Sequence, residues 1–323
     1  MLEEKAISKE EYEEAVNYKL VFTNSEGYVP KAGKTKKTTE DKNKEKEYQD
    51  FYVDYVIKSV CQDLMSKYGY TYRQAMEKIN YGGLKIYSAA NLDVQKVLNT
   101  VYSNRIAFDK EADTAEHPAV QSAATVMDYE GRIVGIVGQA GEKSGNLCLN
   151  RASESPRQPG SSIKPLSTYS LALEKDYINW SSMILNYAIY HNGKLWPQNS
   201  DGTHGSKKNV TVQYAIQKSF NTVPVRIITE MLGVNEAYNF MKKTFHLSTL
   251  DDTNDASIAP LATGSLTNGV TTVEMAAAYA VFGNNGYYYK PYCYYKVTNA
   301  TGTEVLLETK SEPEKVLSED TAE

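Results

Sequence analysis

A pair of β-rich runs near the middle of the chain narrows the choice of folds most. Residues 123–128 and 132–138 are rich in apolar and β-branched side chains, and Tyr129-Glu130-Gly131 separates them. Two such runs joined by three residues that include glycine are typical of an antiparallel hairpin. Helical patterns dominate the sequence after this hairpin, and strand patterns return near its end. This order predicts an α+β fold, with helices packed on an antiparallel sheet.

Hydrophobic spacing, glycines and a capping box locate the elements that follow the hairpin. Apolar residues three or four apart predict helices, and the last turn of a helix is often followed by glycine. The predicted elements are a helix with Leu166, Tyr169 and Leu173 on one face, a helix beginning with Val212, Ala215 and Ile216, a helix over 225–232 stopped by Gly233, a helix over 275–282 behind a Thr271–Glu274 capping box, and strands at 287–297 and 304–307.

The part of the chain before the hairpin has a different character. Residues 1–20 read as an acidic amphipathic helix, and residues 31–47 contain almost nothing apolar to bury, which predicts a solvated loop. Two helices are predicted between 51 and 79, with a break near Gly69, followed by a strand at 84–87 and a helix opening at Asn91. The change after His117-Pro118 predicts a boundary near residue 115, which divides the chain into regions 1–115 and 116–323.

Composition and charge exclude several classes of function. The chain is 41% hydrophobic and 23% charged with a net charge of −5, so it lacks the basic balance of a nucleic-acid-binding protein. Its three cysteines and four histidines are scattered without metal-ligand spacing, and no metal or other cofactor is expected. No apolar run approaches the roughly 20 residues that a bilayer requires. A cytoplasmic protein or an anchor on sequence not given are both compatible with these features.

A phosphate-binding loop is the first motif that the sequence suggests and then rules out. Gly33-Lys34-Thr35 resembles the end of such a loop, but the motif requires a glycine at the position of Tyr28. These residues are therefore interpreted as part of the solvated loop.

The sharpest chemical motif surrounds Ser161 and Lys164. A hydroxyl and an amine three residues apart at the start of a helix emerge on the same face. Pro159-Gly160 predicts a sharp entry that exposes the serine, and Pro165 is tolerated because it falls close to the first turn. Burial would lower the pKa of the amine, so that a neutral Lys164 could take the proton of Ser161. A solvated helix face is the alternative explanation for an isolated Ser-x-x-Lys.

A second polar pair, Ser219 and Asn221, lies 58 residues downstream, between two predicted helical segments. A turn at this place can direct both side chains into a cleft, whereas the structural alternative is a simple helix cap. The two motifs resemble those of penicillin-binding proteins and class A β-lactamases, which combine Ser-x-x-Lys with Ser-Asp-Asn and Lys-Thr-Gly. Here Phe220 replaces the middle residue of the second motif.

Together these residues give the chain a specific resemblance. The stretch from Arg157 to Pro165 is very similar to the nucleophile motif of class A penicillin-binding proteins, and further landmarks follow in the order of that family. These landmarks are Trp196-Pro197-Gln198-Asn199, Lys218-Ser219-Phe220-Asn221, the block from Gly269 to Tyr279 and, upstream, Gly82-Gly83-Leu84-Lys85-Ile86-Tyr87. The resemblance covers nearly the whole chain and implies a linker region followed by a transpeptidase domain of the penicillin-binding protein and serine β-lactamase type.

The resemblance also implies roles for four residues. Ser161 would be the acylated nucleophile and Lys164 its base, Ser219 would relay a proton to the leaving group, and Asn221 would bind the substrate backbone. The backbone N–H of Ser161 would supply half of an oxyanion hole. The implied substrate is the D-Ala-D-Ala end of a peptidoglycan stem peptide, and β-lactams would react with the same serine. The parent protein would be anchored at the extracytoplasmic face of a bacterial membrane.

One expected motif is missing. No Lys-Thr-Gly or Lys-Ser-Gly follows Asn221, and no glycosyltransferase half precedes the linker. We therefore expect a chain truncated at both ends, incomplete in its sheet and impaired in activity. Two other functions stay open: a serine β-lactamase, disfavoured by the long linker, and a penicillin-binding sensor or scaffold that does not turn over.

Overall fold

The computed structural model describes residues 48–104 and 120–323 continuously, together with Ser8, Lys9, Glu13, Asn17 and Phe108. The chain divides into two compact units, Met1–Glu47 and Tyr48–Glu323. The helix predicted at 1–20 and the loop predicted at 31–47 lie outside the described residues, apart from isolated positions. The description below concerns the second unit.

Two helices open this unit, as the sequence predicts. Helix α1, Phe51–Tyr68, begins at Asp50, whose carboxylate accepts the Val53 N–H, and ends at the left-handed Gly69. Helix α2, Tyr72–Tyr81, begins with a capping box. Strand β1, Lys85–Ser88, and helix α3, Leu92–Ser103, follow, and α3 begins at the predicted residue, Asn91.

The predicted hairpin is confirmed. Strand β2, Ala124–Met127, pairs antiparallel with strand β3, Ile133–Val137, and every residue of β3 is buried. The other edge of β3 is covered by a side chain, because Gln95 of α3 accepts the Ile136 N–H at 2.9 Å and donates to the Ile136 carbonyl at 3.0 Å. A buried strand edge needs such partners, since unpaired backbone groups away from water are costly.

The prediction of one strand at 287–297 is wrong. Strand β8, Tyr287–Tyr288, pairs with β11, Glu314–Lys315, whereas strand β9, Tyr294–Thr298, lies between β1 and β10, Val305–Glu308. Pro291 lies between β8 and β9 and has no N–H to give to a ladder, so a continuous central strand is disfavoured there.

The remaining elements are short helices and short strands, and the strands form two-stranded sheets. Their bounds are α4 Arg151–Glu154, a 3₁₀ turn at Gly160–Ile163, a π-helical turn at Pro165–Tyr169, α5 Ser170–Glu174, β4 Met183–Asn186, β5 Ile189–His191, β6 Lys194–Trp196, β7 Lys208–Thr211, α6 Val212–Gln217, α7 Thr222–Ile227, a π-helical turn at Ile228–Leu232, α8 Val234–Thr244, α9 Ile258–Thr263, α10 Thr272–Ala280, a 3₁₀ turn at Val281–Gly283 and α11 Glu319–Ala322. The α+β fold is confirmed.

Two hydrophobic clusters form the core. One is built from the helices that follow Ser161 and includes Ile163, Leu166, Ile227 and Met241. The other joins α1 to β3 and β9. The pairing of β1 with β9 and this second cluster connect the two predicted regions, and the boundary near residue 115 stays a prediction. Across the described residues, no helix combines the length and apolar character needed to cross a membrane.

Candidate active site

Ser161 and Lys164 lie where the predicted helix begins, on a 3₁₀ turn rather than an α-helix. Side chains three residues apart eclipse each other in this geometry, so the serine and the lysine occupy the same side of the turn. Ser161 is exposed, whereas Lys164 is only 2% exposed. The turn therefore presents its hydroxyl outward and buries its amine behind it.

Tertiary contacts fix the shape of this turn. Gly160 has a φ of +55°, and the neighbouring Gly264 approaches so closely that an added Cβ would overlap the Gly160 carbonyl. The hydroxyl of Tyr279 on α10 donates to the Ser162 carbonyl at 2.6 Å. Helices α9 and α10 thus hold the residues on both sides of Ser161.

The amine of Lys164 points at the turn that carries the second polar pair. Its Nζ lies 2.7 Å from Asn221 Oδ1 and 3.3 Å from Ser219 Oγ. The carbonyls of Ser219 and Phe220 accept from the same nitrogen at 2.9 and 3.2 Å. The structure therefore brings three of the four predicted site residues into direct contact.

The electrostatics of Lys164 follow from its burial. No carboxylate among the described residues forms an ion pair with it, and all four of its acceptors are neutral oxygens. Burial lowers the pKa of the Lys164 amine to about 8, because the charged form loses hydration. Such an amine exchanges its proton close to neutral pH.

Residues Ser219 to Asn221 form a turn between α6 and α7. Ser219 adopts a φ of +52°, and its N–H donates to the Ile216 carbonyl at 2.9 Å. Phe220 packs against the main core cluster and meets the edge of the Tyr214 ring at a centroid distance of 5.8 Å. An apolar middle residue thus anchors the turn, while its two polar neighbours face Lys164.

The orientation of the Asn221 amide is determined by its partners. Its Oδ1 accepts from Lys164, and its Nδ2 donates to the Gln198 carbonyl at 2.8 Å. A carbonyl can only accept, so the amide cannot be flipped without losing this bond. The backbone N–H of Asn221 donates to Asn199 Oδ1 at 2.8 Å. Gln198 and Asn199 belong to the Trp196–Asn199 landmark, for which the sequence suggested no role.

Ser161 is the least constrained of the four residues. Its hydroxyl makes no hydrogen bond to another described residue. Its backbone N–H lies in the first turn of a helical segment, where N–H groups have no partner within the helix. Both groups remain available to a bound molecule.

A cavity elsewhere, lined by several charged residues, contains none of the four residues. It has a volume of about 980 Å³ and lies between α1 and strands β9 and β10, with Lys58, Asp63, Lys290 and Lys310 among its lining residues.

No group of three or more acidic, histidine or cysteine side chains in the described part of the chain is arranged to hold a metal ion.

Comparison with known families shows to which family the chain belongs. Residues 122–323 match the family described as the penicillin binding protein transpeptidase domain. The chain belongs to this family. The penicillin-binding protein 1A of Clostridium acetobutylicum is 36% identical over 281 residues, and that of Clostridium tetani is 34% identical over 316 residues. The resemblance to class A penicillin-binding proteins is confirmed.

The matched relatives are much longer than this chain. The alignments cover 83% and 93% of this penicillin-binding protein but only 34% and 39% of the two clostridial proteins. The penicillin-binding protein 4 of Bacillus subtilis, 30% identical, is covered to 45%.

Solved structures share the fold. The PonA1 protein of Mycobacterium tuberculosis in complex with penicillin V superposes with a TM-score of 0.65 at 17% identity, covering 84% of this chain and 68% of that one. Penicillin-binding protein 1A of Haemophilus influenzae gives a TM-score of 0.63 at 22% identity, covering 97% of this chain and 55% of that one. At these identities the likeness is one of fold.

Proposed function

We propose that this chain provides the acylation site of a serine D,D-transpeptidase that cross-links peptidoglycan stem peptides. The observation that carries the proposal is the buried amine of Lys164, which contacts Ser219 and Asn221 and lies on the same side of the turn as the exposed Ser161. The family match and the relatives named penicillin-binding proteins support the same reaction class.

In the proposed first step, neutral Lys164 removes the proton from Ser161 Oγ, and this oxygen attacks the carbonyl carbon of the penultimate D-Ala. The Ser161 N–H stabilises the oxyanion of the tetrahedral intermediate. The C–N bond to the terminal D-Ala then breaks, and Ser219 passes the proton from Lys164 to the departing amine.

The second step reverses these roles. An amine from a neighbouring stem peptide attacks the acyl carbon, its proton passes through Ser219 and Lys164 to Ser161 Oγ, and the bond between that oxygen and the acyl carbon breaks. The second amide hydrogen of Asn221 is available for a backbone carbonyl of the substrate, since the first is used by Gln198. A β-lactam would open its ring amide on Ser161 and keep its amine tethered, so no leaving group departs.

The wider setting is part of the proposal. We assign residues 1–115 to a linker and 116–323 to the transpeptidase domain, in a parent protein anchored at the extracytoplasmic face of the bacterial membrane. Its partners would be stem peptides ending in D-Ala-D-Ala and β-lactam antibiotics, without nucleic acid and without a cofactor.

Covalent labelling with a fluorescent penicillin tests the proposed function. The wild-type chain should label, although slowly because no Lys-Thr-Gly follows Asn221, and Ser161→Ala should not label. Ser162→Ala is the matched control, because Ser162 is also exposed and its hydroxyl donates only to the Pro159 carbonyl at 2.7 Å. Label retained in Ser161→Ala would identify another nucleophile, and a folded wild-type chain that never labels would favour a non-catalytic sensor or scaffold.

A further inference from the structure

Three buried polar side chains lie behind the turn that carries Asn221. Asn186 ends strand β4, Asn199 follows strand β6, and Thr222 opens helix α7. They are 2%, 6% and 0% exposed respectively. Polar groups this deeply buried are usually hydrogen-bonded, because an unpaired polar group away from water is costly.

Asn199 is the centre of this cluster. Its Oδ1 accepts the backbone N–H groups of Asn221 at 2.8 Å and Thr222 at 3.4 Å. Its Nδ2 donates to Asn186 Oδ1 at 3.2 Å, and the same oxygen accepts the Thr222 hydroxyl at 2.6 Å. Backbone N–H groups can only donate, so the orientation of the Asn199 amide is fixed as well.

The cluster supplies an acceptor at the start of α7, where the side chain of Asn221 supplies none. Asn221 is the N-cap residue of α7, and an asparagine in that place ordinarily accepts an N–H of its own first turn. Here its side chain makes no such cap, because its Oδ1 faces Lys164 and its Nδ2 faces Gln198. The oxygen that meets the start of α7 comes from Asn199 instead.

We propose that Asn199 is a positioning residue of the acylation site. By accepting the N–H groups of Asn221 and Thr222, it holds in place the backbone from which the Asn221 side chain contacts the Lys164 amine. The role rests on the proposed function, but its structural part, the hold on Asn221, is measurable without turnover. Asn186 holds Asn199 in place by accepting a hydrogen bond from its Nδ2, and Thr222 donates its hydroxyl to the same Asn186 oxygen.

The test uses Asn199→Ala in the full chain. We expect the backbone of Asn221 and Thr222 to shift once Asn199 no longer accepts their N–H groups, so that Asn221 Oδ1 moves away and Lys164 loses its shortest acceptor. The high-pH plateau of the acylation rate with fluorescent penicillin should fall about tenfold or more, because the neutral amine is no longer held in position for Ser161. The pKa of Lys164, read by NMR of lysine labelled at Cε and assigned with Lys164→Arg, should fall because an oxygen that stabilises the charge is gone.

Asn150→Ala is the matched control. Asn150 is also a buried N-cap asparagine, 1% exposed, and its Oδ1 accepts the Ala152 N–H at 3.1 Å, but it contacts none of the four candidate site residues. It should lose a comparable amount of thermal stability while keeping the acylation plateau and the Lys164 pKa of the wild type. Equal effects of Asn150→Ala and Asn199→Ala on either readout would reduce Asn199 to a structural role and overturn the proposal.

A second variant keeps the proposal testable if Asn199→Ala fails to fold. Asn199→Asp retains an acceptor for both N–H groups but loses the donor to Asn186, and its added charge should move the inflection of the pH profile upward. Above that inflection we expect a plateau within about threefold of the wild type. A plateau as low as that of Asn221→Ala would contradict the positioning role. Should the wild-type chain prove inert toward penicillin, the proposed function fails, and an unchanged Lys164 pKa in Asn199→Ala would separately refute the hold on Asn221.

Discussion

At the scale of single residues, the unusual feature of the site is that Lys164 is buried among neutral acceptors. A lysine so deeply buried usually has a carboxylate partner, because burying a lone charge is costly. Lys164 instead meets two carbonyls, a hydroxyl and an amide oxygen. Neutral acceptors tolerate both protonation states of the amine, which is what a group that takes and returns a proton requires.

The first prediction concerns pH. Burial holds the pKa of Lys164 at about 8, below its usual 10.5, so the amine is charged below pH 8 and cannot accept the proton of Ser161. The acylation rate should rise about tenfold per pH unit toward pH 8 and level off above it. Rates with fluorescent penicillin between pH 6 and pH 10 give this profile.

Two lysine variants separate the base from a general effect of charge. Lys164→Arg stays protonated throughout this range, and its acylation should be slower by about 10²–10⁴-fold. Lys218→Arg is the control, since Lys218 is exposed, adjoins Ser219 and lies over the Tyr214 ring. An inflection near the ordinary lysine value, or normal acylation by Lys164→Arg, would contradict the assignment of Lys164 as base.

At the scale of secondary structure elements, the Ser161 turn depends on its neighbours. Its 3₁₀ geometry is held by Gly264 at the end of α9 and by Tyr279 on α10. Both contacts come from residues distant in sequence, and they meet the backbone carbonyls of Gly160 and Ser162, the two neighbours of Ser161. Precise placement of a nucleophile requires support of this kind from packed elements.

Two glycine variants test this support. Gly264 and Gly69 both end helices in the left-handed conformation, with φ of +77° and +68°, but only Gly264 has a neighbour within reach of an added methyl group. Gly69→Ala should lower the free energy of unfolding by about 1 kcal/mol from strain alone. Gly264→Ala should lower it by about 3 kcal/mol and slow acylation, because the Gly160 carbonyl must move.

Urea denaturation and penicillin labelling of the two variants give the comparison. Equal losses of stability, or an unaffected acylation rate in a destabilised Gly264→Ala, would show that the turn does not rely on this contact.

Helix α3 and strand β3 give a second prediction at this scale. Gln95, which is 3% exposed, pairs with both backbone groups of Ile136. Gln95→Leu leaves these groups buried without partners, which should lower the free energy of unfolding by about 2–4 kcal/mol. Gln62→Leu on the exposed surface of α1 should change it by less than about 0.5 kcal/mol. Similar urea midpoints for the two variants would argue against this role of Gln95.

At the scale of the whole unit Tyr48–Glu323, residues before and after the predicted boundary are structurally interdependent. The hydroxyl of Tyr52 on α1 lies 2.6 Å from the Ile133 carbonyl and 3.0 Å from the Cys293 carbonyl. It therefore connects the first helix of the unit, the hairpin and the residue before β9. The register of β1 on β9 joins the same regions.

Loss of the Tyr52 hydroxyl should weaken the unit without changing the chemistry. Tyr52→Phe leaves two buried carbonyls short of a donor and should lower the free energy of unfolding by about 1–3 kcal/mol. The acylation rate per folded molecule should stay unchanged, because the Tyr52 hydroxyl bonds to the Ile133 and Cys293 carbonyls and to none of the four candidate site residues. Tyr81→Phe, at a residue that is 86% exposed, is the control. A normal melting temperature for Tyr52→Phe, measured by circular dichroism, would contradict the prediction.

The sequence located elements well where their signals are local. The Thr271–Glu274 capping box predicted the start of α10, and Asn91 predicted the start of α3, because a cap involves residues within one turn. The prediction of one strand at 287–297 was wrong because alternating hydrophobicity does not show where the chain leaves one strand partner and joins another. The helix predicted over 225–232 ends before Gly233 as expected, but it begins earlier, at Thr222. Its division into α7 and a π-helical turn was not foreseen.

The sequence by itself determined the motif, the family and the side-by-side placement of Ser161 and Lys164, since three residues of a helical turn bring them together. Only the tertiary structure decided that Lys164 is buried without a countercharge and that Asn221 reaches its amine. The hold of Asn199 on Asn221 also joins residues 22 positions apart. Burial and contacts of this range depend on how every element packs, and no local spacing encodes them.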